Sequence, residues 1–593
     1  MSQSTIYTET GYEVRTFNET LVYSYASDEE GNTTESINGM SIQSAVDSNT
    51  NTTTIKDGNG VSVMTANHVH DVFGRLKNKS VVLGNTEVVK EYSYNVDSNG
   101  NTGNLVSNYT TSYFLANDDR TQLSFSYSYD GNGNITDIAR TENTSSVIPT
   151  PTPVPDDEPS LMILGGNRIV TSYTYDAAGQ LLEAIDGETD HIYRYAYDNC
   201  GNIRIARTYV YDEDGNEVLV ESKTFGYNNG ILASYTDGTS TVTYQTDAMG
   251  NPIRISGSGV VKTLNWGEGR MLLEVCTDAS NYSQYTYDVD GLRTRKIVAV
   301  NGIKTTTEYA WGDNGLAGTI IRDETATTTV VPHYDGEGEA IGFTVKRVPS
   351  RLSSPSTTNT YTYVKNLQGD VLRILDSNGN AVVNYTYDPW GKPTVTGDEE
   401  LAALNPCSYR GYDYDEETGY YYLQSRYYDS QISRFINADD VSSLSTGGNL
   451  ISCNLFAYCV NNPTYQLDEN GYLVVSAVIG ATVSAVATYL LYWLEYKLGM
   501  RNWNWWVVSG QIAVNAVLGA VKGALFGGGV VGKLFSKLIK MSNLAQKAKL
   551  TGKPLKALKM LATGTTYFIN SFIKPLTRKQ GESWSKAVKR WLK

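Results

Sequence analysis

The chain has 593 residues, a formal net charge of −15 and only five cysteines, an odd and sparse set that implies no disulfide framework. It contains 44 Tyr against 12 Phe, with 54 Gly and 15 Pro. This composition is typical of β-strands broken by frequent turns, and its aromatic content argues against a disordered chain.

The net charge is the sum of two opposed parts. Residues 473–593 contain 18 Lys+Arg and two acids and carry +16, whereas the other 30 basic and 61 acidic residues carry −31. Such asymmetry indicates that the two parts either attract each other or face different partners. The N-terminus lacks a basic start followed by an apolar run, so we predict no signal peptide. Either export follows a non-classical route, or the reading frame is a piece of a longer protein.

A hairpin unit recurs through the first two thirds of the chain. In LSFSYSYDGNG, Phe125, Tyr127 and Tyr129 fall on one face and residues 130–133 supply the turn. The pattern Y-x-Y-D-x-x-G followed by a second strand returns several times between positions 173 and 395. Asp can bond the turn backbone, Gly takes the positive φ, and alternate tyrosines stack across neighbouring strands. Many such hairpins side by side predict a long sheet that curls to hide its edges.

A later segment carries a family resemblance. The stretch YRGYDYDEETGYYYLQSRYYD from Tyr409, followed by RFINAD and NNP, closely resembles the RHS-repeat-associated core of the RHS/YD-repeat proteins. The resemblance extends upstream through the tyrosine repeats and does not reach beyond Tyr472. It implies a mainly β fold in which YD-repeat hairpins spiral into a hollow shell. It also implies a polymorphic toxin, whose C-terminal tail varies between members.

We therefore expect five regions. A degenerate YD-repeat region is followed by a Pro-rich insertion that cannot continue a strand ladder, then by the YD-repeat shell, the RHS core segment and a helical hydrophobic and basic tail. In that order they cover residues 1–148, 149–160, 161–400, 401–472 and 473–593. A second polar break, from Pro349 to Thr360, is read as another excursion from the shell.

The tail has the composition of a membrane-seeking segment. Residues 473–494 hold 22 residues without a formal charge, which matches the ~20 needed to cross a bilayer. Residues 505–532 contain small residues and one lysine, tryptophans lie between the two runs, and basic amphipathic stretches follow. After Asp468 the sequence contains no Asp, His or Cys, so no enzymatic warhead or metal ligand set is recognised in the tail.

Asp439 in RFINADD and Asp468 in YQLDENGY are the candidate catalytic residues. In the families that the segment resembles, two aspartates at these places cleave the chain after the core, and Arg434 matches an arginine that could orient the site. Two close carboxylates can serve as acid and base. Glu469 stands where the family has proline, and Asp440 competes with Asp439 as the matching residue. The alternative is that these aspartates only cap turns and close the shell.

Other chemistry is poorly supported by the sequence. His68 and His70 form an H-x-H without a nearby third ligand, so we expect no metal and read these histidines, with His191 and His333, as solvated strand residues. Cys453 and Cys459 are interpreted as packing thiols. No Gly-rich phosphate loop appears, and no cofactor is expected. The tyrosine ladders could stack on glycans, although sheet packing explains their spacing as well.

Three functions remain open. In the first, an acidic β-shell encloses its own basic tail as cargo, releases it by self-cleavage near Tyr472, and the tail enters a target-cell membrane; an immunity protein is then an expected partner, and specific nucleic-acid binding is not. In the second, the chain is a cell-surface or wall-associated YD-repeat adhesion protein anchored at residues 473–494, with a cytoplasmic basic end. In the third, the tail is a translocation region without toxicity.

Overall fold

The computed structural model describes residues 4–145, 168–439 and 454–468, apart from short connecting segments within these ranges. The predicted Pro-rich insertion at 149–160 and the predicted tail at 473–593 lie outside the described residues.

Within the described residues, one sheet contains 32 strands, and each strand pairs antiparallel with the next along the chain. A smaller antiparallel sheet of four strands belongs to the RHS core segment. The predicted mainly β class is confirmed. The strands of the first part are β1 Ser4–Thr8, β2 Gly11–Arg15, β3 Val22–Ser27, β4 Thr33–Ile37, β5 Met40–Asp47, β6 Thr52–Lys56, β7 Ser62–His70, β8 Leu76–Leu83, β9 Thr86–Val96, β10 Thr102–Phe114, β11 Arg120–Tyr129 and β12 Ile135–Ser145.

The large sheet continues without interruption of its pairing order. Its later strands are β13 Arg168–Tyr175, β14 Leu181–Asp186, β15 His191–Tyr197, β16 Ile203–Tyr211, β17 Glu217–Asn228, β18 Ile231–Thr236, β19 Thr241–Thr246, β20 Pro252–Gly257, β21 Val260–Gly267, β22 Met271–Asp278, β23 Asn281–Tyr287, β24 Arg293–Val300, β25 Ile303–Gly312, β26 Gly315–Arg322, β27 Ala326–Tyr334, β28 Ala340–Pro349, β29 Thr357–Lys365, β30 Val371–Leu375, β31 Ala381–Tyr387 and β32 Pro393–Gly397. The four strands of the small sheet are β33 Asp413–Asp415, β34 Tyr420–Tyr422, β35 Tyr427–Asp429 and β36 Arg434–Phe435. The described helical pieces are α1 Glu399–Leu404 and two 3₁₀ turns, Tyr409–Gly411 and Cys459–Asn461.

The sheet passes both predicted breaks. Across the Pro-rich insertion, β12 pairs with β13 so that Asp137 faces Ser172. Across the second polar stretch, β28 pairs with β29 and Arg347 faces Thr357. The ladder is therefore continuous on either side of both stretches, and residues 357–360 of the second belong to β29 itself.

A repeated turn joins many of these strands. In YTYDAAGQ, Asp176 Oδ1 accepts the backbone N–H groups of Ala178 and Gln180 at 2.8 and 2.9 Å. Gly179 takes a φ of +83°, a left-handed conformation that glycine adopts without steric cost. The roles predicted for the Asp and the Gly of the repeat are confirmed.

The aromatic residue just before the turn ties neighbouring hairpins together. Tyr197 donates its hydroxyl to the backbone carbonyl of Leu181 at 2.6 Å, five residues after the Asp that opened the preceding turn. The same spacing recurs in Tyr94 to Leu76, Tyr175 to Ile135, Tyr227 to Ile203, Tyr387 to Val371, Trp266 to Pro252 and Trp311 to Arg293. A phenylalanine has no donor for this carbonyl. The hydrogen bond thus explains the excess of Tyr over Phe more directly than ring stacking does.

Distant parts of the sheet meet. Strand β29 lies beside β8, β9 and β10, and Tyr109 donates to the carbonyl of Lys365 at 2.8 Å. Because the sheet returns on itself here, side chains expected at its surface become buried. The prediction of solvated histidines is wrong for His68 and His333, which are 4% and 2% exposed. Burial also lowers the pKa of His333 to about 4.

Candidate functional site

The RHS core segment is a short, tyrosine-rich sheet. Strand β34 pairs with β33 and β35, and all three of its tyrosines are buried. Tyr421 stacks on Tyr428 with ring centroids 6.1 Å apart, and Tyr428 stacks on Tyr458 at 4.0 Å. The segment forms one hydrophobic cluster with the repeat tyrosines of the large sheet. Aromatic packing fixes its position within the fold.

Polar contacts place this segment along the turns of the large sheet. Its last described part, from Asn454 to Thr464, contacts the earlier repeats between residues 134 and 202. The hydrogen-bonded pairs, in segment order, are Tyr421 with Gly391, Tyr422 with Arg293, Asn437 with Arg270, Asn454 with Asn202, Asn461 with Gln180 and Asn462 with Asn134. Asparagine amides thus satisfy buried turn groups that no strand reaches.

The two predicted carboxylates meet at one arginine. Arg426 Nη2 lies 2.8 Å from Asp468 Oδ2 and 3.6 Å from Asp439 Oδ2. The three side chains are 4%, 2% and 10% exposed in the order Arg426, Asp468 and Asp439. The guanidinium offsets the repulsion between the carboxylates. The sequence had predicted Arg434 as the arginine that orients this site.

Two features hold this arginine. Its guanidinium lies over the ring of Phe435 at 3.5 Å, and its Nη1 donates to the carbonyl of Leu455 at 3.3 Å. Asp439 enters the site because its N–H pairs with the same carbonyl group at 2.9 Å. This backbone hydrogen bond and the cation–π stacking therefore fix the geometry.

Asp468 is anchored on its backbone side as well. Its N–H donates to the Tyr412 hydroxyl at 3.3 Å, and that hydroxyl lies 3.1 Å from the hydroxyl of Tyr458. Next to them is the buried thiol of Cys459, whose pKa is raised by burial and then by the charge of Asp468. Such a thiol stays protonated, which agrees with the predicted packing role of Cys459.

The backbone beside the site is unusual. Cys459, Val460 and Asn461 have φ angles of +49°, +53° and +60°. Each non-glycine residue in this region costs on the order of 1 kcal/mol or more, and for the β-branched Val460 the conformation is a true outlier. The turn brings Asn461 to the sheet, where its amide donates to Gln180 and Gly201 at 2.8 and 2.7 Å.

Arg434 has other neighbours than those predicted. Its guanidinium lies between the rings of Tyr227 and Phe456, at 5.0 and 5.1 Å, and its backbone bridges to Ala457. These contacts join the core segment to the large sheet. Asp440, Glu469, Tyr472 and Cys453 lie outside the described residues.

Arg426 is the site residue that the sequence interpretation missed. Its signal was a cation close in sequence to the apolar and aromatic residues Leu423, Tyr427 and Tyr428. A buried arginine needs a carboxylate partner, so such a residue points to one. Chemically, two carboxylates sharing a guanidinium next to the end of the core segment could act as acid and base on a bond brought to them.

Comparison with known proteins gives the family. The family model described as teneurin YD-shell matches residues 158–464, which are 307 of the 593 residues. The tRNA3(Ser)-specific nuclease WapA of Bacillus spizizenii is 30% identical over 298 residues, covering 50% of this chain and 12% of that protein. The toxin protein Tse5 of Pseudomonas aeruginosa is 23% identical over 389 residues, covering 55% of this chain and 29% of that protein.

Among solved structures, the TcdB2–TccC3 crystal structure aligns with a TM-score of 0.30 and 15% identity, covering 79% of this chain and 33% of that one. The chain spans less than a third of the length of the two relatives named above. Because the family model covers just over half of the chain, this protein belongs to the teneurin YD-shell family, among the RHS/YD-repeat proteins.

Proposed function

We propose that this protein is a toxin in which the YD-shell carries the basic region 473–593 as cargo and separates from it by self-cleavage near Tyr472. The observation that carries the proposal is the convergence of Asp439, Arg426 and Asp468 just before that point. The names of the relatives, a nuclease and a toxin, support the class.

In the proposed reaction one of the two carboxylates acts as the base and the other as the acid. One carboxylate activates a water molecule that attacks the carbonyl of the scissile peptide, and the other donates a proton to the leaving nitrogen. Arg426 keeps both side chains in position and stabilises the ionised one. We assign Arg434 a positioning role through the rings that it contacts.

The first experiment measures the masses of the purified full-length protein. We expect a fragment that ends at Tyr472 and a separate 473–593 fragment. Asp439→Asn, Asp468→Asn and Arg426→Met should each leave the chain intact. Asp370→Asn is the matched control, since Asp370 is a buried carboxylate that binds a different arginine, Arg410; this variant should be processed normally. An intact wild-type chain would refute self-cleavage.

The action of the tail is tested separately. Its apolar runs and charge of +16, without Asp, His or Cys, support bilayer insertion rather than hydrolysis. Expression of residues 473–593 alone should be toxic and should release dye from liposomes, whereas the full-length chain with Asp468→Asn should do neither. Absence of both toxicity and leakage would leave the tail as a translocation region.

The adhesion alternative rests on the uncharged run at 473–494 followed by basic residues. Among the residues that the structure describes, none forms a helix with the length and apolar character needed to cross a membrane; the run itself lies outside them. Protease treatment of intact producing cells separates the two functions. A surface anchor predicts digestion of the shell and protection of the tail, whereas the toxin proposal predicts no protease-sensitive shell on these cells.

A further inference from the structure

A buried charge cluster lies where the early strands meet the turn after β27. Lys79 on β8 hydrogen-bonds through Nζ to Asp335 Oδ2, and the same Nζ lies 2.6 Å from Glu339 Oε2. The Lys79 and Asp335 side chains are 1% and 0% exposed. These residues are 256 positions apart in the chain. A buried amine and a buried carboxyl group are thus held together, and the part-exposed carboxylate of Glu339, 32% exposed, touches the amine.

The Asp335 carboxylate is held in a defined orientation. Its Oδ1 accepts the backbone N–H groups of Glu337 and Glu339, both at 2.9 Å. Its Oδ2 lies 3.1 Å from His68 Nε2, which must donate here because an ionised carboxylate only accepts. The turn Asp of other repeats has the same two donors, as at Asp176, and at Asp335 they can stabilise negative charge on Oδ1. The remaining oxygen is the one that faces both the lysine and the histidine.

We propose that Lys79 and Asp335 form an intramolecular isopeptide bond, with Glu339 as the proton carrier and His68 at the leaving oxygen. A proton passes from the Lys79 ammonium to Glu339, and the freed Nζ lone pair attacks Asp335 Cγ. The negative charge that develops on Oδ1 is stabilised by the two N–H groups. The C–Nζ bond forms, the C–Oδ2 bond breaks, and both protons lost by Nζ end on Oδ2, which leaves as water. The overall change is the loss of one water molecule, without an oxidant or a cofactor.

The neighbouring carboxylates oppose loss of a proton from Lys79, whereas burial of Lys79 favours it. Burial disfavours the ammonium form of Lys79, but the charges of Glu339 and Asp335 outweigh it and raise the pKa of Lys79. The proton must therefore move within the cluster, between two groups already in contact. The transfer neutralises Lys79 and Glu339, and Lys90, which lies 2.7 Å from Glu339 Oε1, then faces a neutral acid. Tyr92 and Tyr109, with ring centroids 5.2 Å apart, add aromatic packing beside the cluster.

A second lysine cluster supplies an internal control. Lys296 Nζ lies 2.7 Å from Asp415 Oδ1 and 3.4 Å from Glu417. There, Arg293 donates to Asp415 Oδ2 at 2.6 Å. A guanidinium does not give up its proton in proteins, so this carboxylate stays ionised and cannot lose its oxygen as water. Lys296 should therefore remain a free amine.

The test is mass spectrometry of the purified full-length protein under denaturing conditions. We expect the chain, or its larger fragment, to be lighter by one water molecule than its sequence requires. A protease digest should yield one branched peptide joining the segments that contain Lys79 and Asp335, while the Lys296 peptide is unmodified. Separate linear peptides with an unmodified Lys79 would overturn the proposal.

Variants assign the roles. Glu339→Gln should slow bond formation on the order of a hundredfold, the effect expected of a proton-transfer group. Glu337→Gln is the matched control, because it makes the same chemical change at a side chain that pairs with His70 at 3.1 Å and is 48% exposed; this variant should link as the wild type does. Circular dichroism checks that each variant folds. Equal linking in Glu339→Gln and wild type would refute the role of Glu339.

Discussion

At the residue scale, the tyrosine hydroxyl makes a hydrogen bond that an aromatic ring alone cannot make. Tyr197 satisfies the Leu181 carbonyl at the base of the preceding hairpin, whereas Tyr211 occupies the same place before Asp212 but is 46% exposed. The repeat therefore offers one buried and one exposed copy of the same motif position.

Replacing Tyr197 by Phe should lower the free energy of unfolding by about 1 kcal/mol, the net contribution of one hydrogen bond. Tyr211→Phe should leave it unchanged. Urea denaturation monitored by fluorescence measures both. Equal effects in the two variants would show that the hydroxyl tether carries no stability.

A buried carboxyl gives the fold a pH dependence. Burial raises the pKa of Asp429 to about 6, above the value of about 3.9 in an unfolded chain. The folded state then holds the proton more tightly, so this group adds stability as the pH falls from 7 toward 4 and loses that contribution as the pH rises through 6.

Asp429→Asn should therefore stabilise the protein at pH 7.5 by about 1 kcal/mol and flatten the change in unfolding free energy between pH 5 and 7.5. Asp212→Asn is the control, because hydrogen bonds from the Asn216 and Asp214 backbone lower the pKa of that exposed carboxyl and move its effect below this range. An unchanged pH profile in Asp429→Asn would contradict the assignment.

At the scale of elements, the turn glycines differ in what surrounds them. Gly391 and Gly215 have similar φ angles, +84° and +79°. A Cβ on Gly391 would lie 2.5 Å from the Tyr409 ring, whereas a Cβ on Gly215 meets nothing within 4 Å. The same turn is thus an exposed connection in one hairpin and a packing surface for the core segment in another.

Gly215→Ala should cost about 1 kcal/mol, since only the left-handed backbone opposes it. Gly391→Ala should cost at least 2 kcal/mol more, because a buried ring must also move. Thermal unfolding of the two variants measures the difference. Equal losses of stability in the two variants would mean that the Tyr409 ring moves aside for the added methyl group at no further cost.

At the scale of the whole molecule, a buried ion cluster joins the core segment to the large sheet. Arg293 on β24 donates to Asp415 and Asp413, at 2.6 Å each. Its guanidinium also faces the ring of Tyr422 at 4.3 Å. Because neither Arg293 nor Asp415 is exposed, removal of Arg293 leaves the Asp413 and Asp415 carboxylates to share the positive charge of Lys296, which lies 2.7 Å from Asp415.

Arg293→Ala should cost about 3–5 kcal/mol and should raise amide hydrogen exchange in β33 to β36 before that of the outer strands. The control is Arg194→Ala, whose ion pairs with Glu183 and Glu217 are part-exposed and should contribute less than about 1 kcal/mol. Uniform exchange changes across the protein would indicate that the segment and the sheet unfold together.

Many features of the fold and of the candidate site could be predicted from local sequence patterns. The period of two, the Asp and Gly of each turn and the place of Asp439 and Asp468 all depend on residues close together in the chain or on a motif that can be matched. Arg426 and the burial of His68 could not be predicted in this way, because their partners lie tens to hundreds of residues away.

The amino-acid sequence alone determined that the chain makes antiparallel hairpins, since alternation and turn chemistry act within about ten residues. Only the tertiary structure decided where the sheet returns on itself and which side chains meet there. That return brings Lys79 to Asp335 and lays the core segment along the turns. The physical reason is that a hydrogen bond or an ion pair depends on distance in space, and the repeat specifies each hairpin without specifying the curvature of all of them together.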